Sequence, residues 1–323
     1  MKKKIQIITT LGPSSLNPTF LKFSNKNIDL LRLNMSHIEP EELEKKIKFI
    51  RKFTKTNICV DTEGAQIRTK VLKSRDLKKN QNLNISRFKD KKFLSLYPHE
   101  IFGKLKAKDI LNIGFNNLLI KIKSKKKDLI TAKVIRSGKL ENNKGVHVEN
   151  RKIRINFITE KDRKAILIAK KNNVKHFALS FTNSSKDVEN FNSILGDNCQ
   201  KIFKIETKRA VKNFNKIIKN ADNFLIDRGD LSKDISVVEI PTIQRKLMKI
   251  KKNFKNKKIF VATNLLESMI ENNYPTRGEA NDIYSSLEMG ANGLVLAAET
   301  AIGKHPTSCV KFIKEMILSF KKY

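Results

Sequence analysis

The sequence predicts an α/β protein whose parallel strands form a (β/α)8 barrel or a doubly wound sheet, with a small all-β domain inserted after the third strand. Three observations carry that expectation. Eight short β-rich apolar runs alternate with amphipathic helical patterns. The alternation is interrupted over residues ~70–150, where segments such as "LLIKIKSKKKDLITAKVIRSG" switch to a period of two and read as hairpins. Polar and charged residues collect at the C-terminal ends of most of the eight runs, the face on which a (β/α)8 barrel carries its chemistry.

The runs are, in order, "IQIITTLG" (5–12), "IDLLRLN" (28–34), "NICVDT" (57–62), "KHFALSF" (175–181), "KIFKIE" (201–206), "NFLIDRG" (223–229), "KIFVATN" (258–264) and "GLVLAAET" (293–300). Amphipathic stretches at 40–54, 160–173, 208–219, 239–255 and 308–320 lie between or after them. Thr159 ahead of "EKDRKAILIAKK" is a helix start signal, and Thr276 with Glu279 has the spacing of a capping box.

The bulk properties exclude several function classes. At 323 residues the chain makes one large domain or two ordinary ones, and no apolar run approaches the ~20 residues of a membrane span. "MKKKIQIITTLGPSS" starts basic and turns apolar, but Gln6 breaks the apolar stretch and no small-residue cleavage site follows. It reads as the first strand of a cytoplasmic protein. Cys59, Cys199 and Cys309 have no CxxC spacing, which argues against a disulfide framework and a zinc site. The net charge of +35 comes from 67 Lys and Arg against 32 Asp and Glu. The basic runs mix Lys with Asn, contain almost no Arg, and Trp is absent. Base recognition by guanidinium forks or stacking rings is therefore not indicated, and the charge reads as solvated lysine faces. Binding to nucleic acid, if any, is expected to be non-specific and steeply salt-dependent.

Lys204 and Glu206 share one face at the end of the apolar run 201–206, where an unpaired charge would cost several kcal/mol. The other strand ends supply Arg32, Asn34, Asp61, Thr62, Ser180, Arg228, Asp230, Thr263, Glu299 and Thr300. Glu206 and Asp230 end consecutive strands, so their carboxylates can converge on one divalent cation, and such a donor set suits Mg2+. Lys204 would stand beside the metal, and Arg32 and Arg68 offer guanidiniums that grip phosphate oxygens. Together these are the parts that neutralise a phosphoryl group in transfer. No Gly-rich phosphate loop is present, so side chains and the backbone around Arg228-Gly229-Asp230 would hold the phosphates.

The segments "TTLGPSS", "LLRLNMSH", "VDTEGAQIRT", "LSF", "FKIET", "RGDL", "VATNLLESMIENNYPTRGEAND" and "AAETAIGKHP" resemble, in order and from about residue 4 to about 312, the motif series of pyruvate kinase. The resemblance implies a TIM barrel of residues 1–69 and 151–323 with an inserted β-barrel lid at 70–150. It implies transfer of the phosphoryl group of phosphoenolpyruvate to ADP, giving pyruvate and ATP, with Mg2+ and K+ as cofactors. Lys204 would stabilise the transferring phosphoryl group and the enolate, and Glu206 with Asp230 would bind Mg2+. Arg32 with Lys204 would hold the substrate phosphate, Gly229 and Asp230 would contact the substrate, and Thr263 would lie near its methylene and carboxylate. Asn34, Ser36, Asp61 and Thr62 match a potassium site. His37, Arg68 and Lys144, with Asn34, match cofactor contacts.

Several positions depart from the family pattern. No counterpart of the family's C-terminal regulatory domain follows the eighth helix, so sugar-phosphate regulation and the usual tetramer resting on that domain are not expected, and another oligomer stays open. "SGET" reads Ala297-Ala298-Glu299-Thr300, without the serine hydroxyl that serves proton delivery. The alanine before "RGD" is Asp227, a negative charge beside an anion pocket unless it points away, and "GDLG" ends in Ser232. "DTKGPE" carries Glu63, Ala65 and Gln66, the last at the position that correlates with potassium dependence. An Asp-Asp-Gly turn in the insertion is replaced by Asn116-Asn117-Leu118. The retained first shell favours a working pyruvate kinase. The alternatives are a barrel repurposed for Mg-dependent enolate chemistry on another pyruvate-like or phosphorylated substrate, and a non-catalytic paralogue.

Overall fold

The computed structural model describes residues 4–88, 90–114, 118–151, 153 and 155–322. Asn116 and Asn117 lie outside the described residues. The chain divides into two compact units, residues 1–64 with 160–323, and residues 65–159.

The first unit is a closed barrel of eight parallel strands in sequential order. They are β1 (Gln6–Thr10), β2 (Leu30–Asn34), β3 (Asn57–Asp61), β4 (His176–Leu179), β5 (Gln200–Ile205), β6 (Asn223–Asp227), β7 (Lys258–Ala262) and β8 (Gly293–Leu296). The barrel, and not the doubly wound sheet, is realised because β1 pairs with both β2 and β8. Strand side chains alternate between the two faces. Each strand sends at least one apolar residue into a shared interior cluster: Ile8, Leu30, Cys59, Ala178, Ile202, Leu225, Phe260 and Val295, with Ala262 as a second from β7. Outward residues pack on the helices. Phe203 meets Phe191 edge-on at 5.9 Å and Phe224 meets Phe214 at 5.5 Å. Full burial of each ring is worth roughly 1.5–3 kcal/mol.

Several strands stop short of the apolar runs that announce them, and the reasons are local. Phe181 adopts φ +54° two residues past β4, and Thr263 and Asn264 adopt φ +70° and +54° directly after β7. Arg228 starts a helix, Arg228–Asp234, immediately after β6. These turns release the polar residues from the ladder at the mouth of the barrel. The expected capping box is present: Thr276 accepts from the Glu279 amide, and the Glu279 carboxylate accepts from the Thr276 amide. It starts the helix Arg277–Glu288.

The second unit is a closed seven-stranded barrel. Its long hairpin, Leu118–Lys125 with Leu129–Arg136, carries the period-two segment seen in the sequence. Leu118, Ile120 and Ile122 point into its core with Leu94, Leu111, Ile130 and Ala132. The unit begins before residue 70 because Ile67–Lys70 pairs with both Leu94–Tyr97 and Gly145–Val148. It extends past 150 because Arg151 grips Asp109 with Nε at 2.6 Å from Oδ1 and Nη2 at 2.7 Å from Oδ2, and Ile153 and Ile155 pack on the core.

Burial pushes the Asp109 carboxyl up, but Arg151 and the Lys106 amide outweigh it and hold it below its ordinary 3.8. A depressed carboxyl contributes stability that is present above its unfolded value and is lost as pH falls through its folded one. Replacing Arg151 with methionine is expected to cost about 2–3 kcal/mol at pH 7. Urea unfolding of both proteins at pH 7 and pH 3 checks this, with a smaller difference expected at pH 3.

Candidate active site

The site is one layer of inward-facing residues above the apolar interior. Two positions beyond the first interior residue of each strand, the same face carries Thr10, Arg32, Asp61, Lys204 and Asp227 on β1, β2, β3, β5 and β6, Ser180 just past β4, Ala262 at the end of β7 and Ala297 just past β8. The period of two therefore builds a polar layer on the core from six strands, with Glu206 one further step above Lys204.

Lys204 is the centre of this layer, buried at 3% exposure. Its Nζ lies 2.6 Å from Glu206 Oε1 and 3.3 Å from both Asp61 Oδ2 and Asp227 Oδ2. It also donates to Ser180 Oγ at 3.2 Å. Arg32 reaches Asp61 Oδ2 with Nε at 2.7 Å and Nη2 at 2.6 Å, and donates from Nη1 to Thr10 Oγ1 at 2.9 Å. Ser180 donates to the Thr62 carbonyl at 2.7 Å and lies 3.2 Å from Asp61 Oδ1. Glu206 Oε2 accepts from the Phe181 amide at 2.6 Å. Its Oε1 is buried and has no hydrogen bond of proper geometry, the Lys204 contact being an ion pair only.

Two cations thus face three buried carboxylates, Asp61, Glu206 and Asp227. Burial works against the charge of Lys204 and Arg32, but the surrounding carboxylates more than offset it and hold both protonated. Burial also acts against Asp227, yet Lys204, Arg32 and hydrogen bonds hold its carboxyl below the ordinary range. Glu206 takes the opposite shift. Burial first, then Asp230, Asp227 and Asp61, outweigh Lys204 and push it up to about 8 from an ordinary 4.5.

Between those two values the metal-free fold holds a proton on Glu206 that the unfolded chain has lost. Stability from this group is therefore full below about 4.5 and falls as pH rises toward 8. In chelator, thermal melts at pH 5.5 and 8 are expected to show that decline, and Glu206→Gln is expected to flatten it.

A second cluster adjoins the first. Glu206, Asp227 and Asp230 each offer an oxygen, all within 4.8 Å of one another. Asp230 is ion-paired with Lys233. Thr263 Oγ1 accepts from the Gly229 amide at 2.7 Å and lies 3.2 Å from Asp227 Oδ1. The Thr263 carbonyl accepts from Arg228, whose Nη1 also holds Asp282 at 2.7 Å. That brace supports a β-branched residue at positive φ, a backbone state that such residues rarely adopt.

The remaining expected residues fall into two groups. Asn34 and Asp61 are register partners at the ends of β2 and β3, with Thr62 next to Asp61. Ser36 donates its amide to Asn34 Oδ1 at 3.0 Å, and His37 is exposed just beyond. In the second unit, Arg68 is the register partner of Gly145 and donates to the Asn143 carbonyl at 3.3 Å. Neighbouring Lys144 lies 3.4 Å from Glu141.

Three features of the site were not assigned a role from the sequence. Asp227 points into the cluster, and Ser180 joins Lys204 to Asp61. Counting two residues on from Leu225 and Ala178 would have placed both inside. Glu63, buried at 1% exposure, has Lys161 Nζ 3.9 Å from its Oε2, and its amide donates to Asp162 Oδ1 at 2.7 Å. No local pattern announces that arrangement, because the partners lie far along the chain.

Comparison with known proteins agrees with this geometry. A family model described as "Pyruvate kinase, barrel domain" matches residues 2–310. The pyruvate kinase of Geobacillus stearothermophilus is 33% identical over 98% of this chain and 57% of its own length. That of Thermotoga maritima is 30% identical over 99% of this chain and 72% of its own. That of Methanocaldococcus jannaschii is 31% identical over 98% and 69%. The chain thus spans a little over half the length of the first relative and about seven-tenths of the other two. With a closed eight-stranded barrel, a charged layer at its strand ends and a family match over nearly its whole length, the chain belongs to the pyruvate kinase barrel-domain family.

Proposed function

We propose that this protein transfers the phosphoryl group of phosphoenolpyruvate to ADP, giving pyruvate and ATP. The observation that carries the reading is the buried Lys204 ammonium, held by three carboxylates at the mouth of the barrel beside the Glu206–Asp230 pair.

The donor set fits a divalent cation. Oxygens bound to one Mg2+ lie about 2 Å from it and so within ~4 Å of each other, close to the spread of the cluster, and buried Glu206 Oε1 lacks a proper donor. Glu206 and Asp230 would hold the ion, which when bound supplies positive charge against the phosphoryl oxygens. Lys204 is a fixed, already desolvated cation for the phosphoryl group in flight and for the enolate oxygen left behind. Arg32 uses three of its N–H directions on Asp61 and Thr10. Its remaining N–H groups are left to hold the substrate phosphate.

In the transfer, the P–O bond to the enol oxygen breaks as an ADP β-phosphate oxygen bonds to phosphorus. The enolate then takes a proton at its methylene carbon. Thr263 is placed for that end of the substrate, with the Gly229 and Asp230 backbone beside it. Ala297 brings no hydroxyl, so the proton comes from water. Asn34, Ser36, Asp61 and Thr62 are our candidates for K+, supported by their convergence at the ends of β2 and β3. Roles for His37, Arg68, Lys144 and Asn34 toward nucleotide phosphates rest on the motif resemblance.

ATP formation from phosphoenolpyruvate, ADP and Mg2+ tests the reading. Saturable turnover lost in chelator is expected. The retained Lys204 and its neighbouring carboxylates also suit one second reading, enolate chemistry on pyruvate-like acids. That reading predicts deuterium entry into the pyruvate methyl group in D2O with no ATP formed.

A further inference from the structure

The geometry points to Asp227 as a third carboxylate ligand of the divalent-cation site, one that lets the cation bind before any anionic substrate arrives. The inference rests on reading Glu206 and Asp230 as that site. Asp227 ends β6 with its side chain turned inward at 5% exposure, Oδ2 being 3.3 Å from Lys204 Nζ. Its ligand oxygen lies within 4.8 Å of those of Glu206 and Asp230. Glu206 Oε1 is fully buried and has Lys204 as an ion-pair contact but no properly placed donor.

Charge decides why a third carboxylate matters. With Glu206 and Asp230 alone, a divalent cation would meet Lys204 Nζ 2.6 Å from one ligand and Lys233 on the other. Both ammoniums oppose its entry, and an anionic substrate would be needed to offset them. Asp227 supplies that negative charge from the protein, since its own contact with Lys204 cancels much of the repulsion. It also touches Thr263 Oγ1, so cation occupancy and the position of Thr263 share one side chain.

Asp227 has a structural role as well: its side chain accepts from the Asp230 amide as the cap of the helix Arg228–Asp234. Asparagine caps as well as aspartate does, so Asp227→Asn removes the charge and keeps the cap. The test is Mn2+ binding by electron paramagnetic resonance and calorimetry on the full chain without substrate, comparing wild type, Asp227→Asn and Asp230→Asn, with circular dichroism as the check on folding. The expected result is a single Mn2+ site in the wild type, weakened at least tenfold in folded Asp227→Asn and similarly in Asp230→Asn. Asp227→Asn within twofold of wild type while Asp230→Asn is weakened would overturn the inference and leave the cation site standing. No Mn2+ binding by the wild type would overturn both.

Discussion

Replacing Lys204 with methionine is expected to destabilise the metal-free protein by about 3–5 kcal/mol at pH 9, where Glu206 is ionised in the intact site, the cost of stripping a buried charge cluster of its counter-ion. The side chain meets Asp61, Glu206 and Asp227 at once, and no other cation reaches Glu206 among the described residues. Without it, an ionised Glu206 sits unpaired beside three further carboxylates, Asp61, Asp227 and Asp230. Two conditions should relieve the strain, and they identify its cause. Lowering the pH toward 5 protonates Glu206, whose carboxyl is already pushed up to about 8 in the intact site. Adding Mg2+ supplies the missing positive charge. Urea titrations in chelator at pH 9, in chelator at pH 5.5, and with Mg2+ at pH 9 are expected to show a deficit that shrinks in the second and third. A deficit that is equal in all three would mean that Lys204 acts through packing alone.

Replacing Arg32 with methionine is expected to raise the KM for phosphoenolpyruvate by about a hundredfold, in line with the loss of charge-assisted, bidentate contacts to phosphate. Arg32 stands opposite Thr10 in the barrel and is buried to 6% exposure, so its guanidinium cannot be replaced by a neighbour's. Lysine at this position should recover little, because a point charge reproduces neither the fork to Asp61 nor the grip on phosphate. Steady-state kinetics of the two variants check this, and an Arg32→Lys protein with wild-type KM would remove Arg32 from the phosphate site.

The period-two pattern made most of this site legible in the sequence. Apolar interior residues such as Leu30 and Ile202 are followed two positions on by Arg32 and Lys204, so strand geometry alone brings those charges together at one end of the barrel. The order of the strands and the inserted β unit were legible for the same reason, since each depends on local pattern. Asp227 was visible as a departure from the family motif, but its inward direction follows only when the count starts from Leu225. The positive φ at Thr263 left no trace in composition; the brace from Arg228 and Asp282 that supports it joins residues far apart in the chain. The same holds for Glu63 and Lys161. Long-range pairs are set by tertiary packing, which a single sequence does not display.

The most direct measurement is the initial rate of ATP formation from phosphoenolpyruvate and ADP with saturating Mg2+, taken side by side for the wild type and Lys204→Met at a pH where both are folded. Phosphoryl transfer centred on Lys204 predicts turnover in the wild type and a fall of about a thousandfold in the variant, the scale of losing a principal transition-state charge. Equal rates in the two proteins would contradict it and move the chemistry away from the barrel mouth.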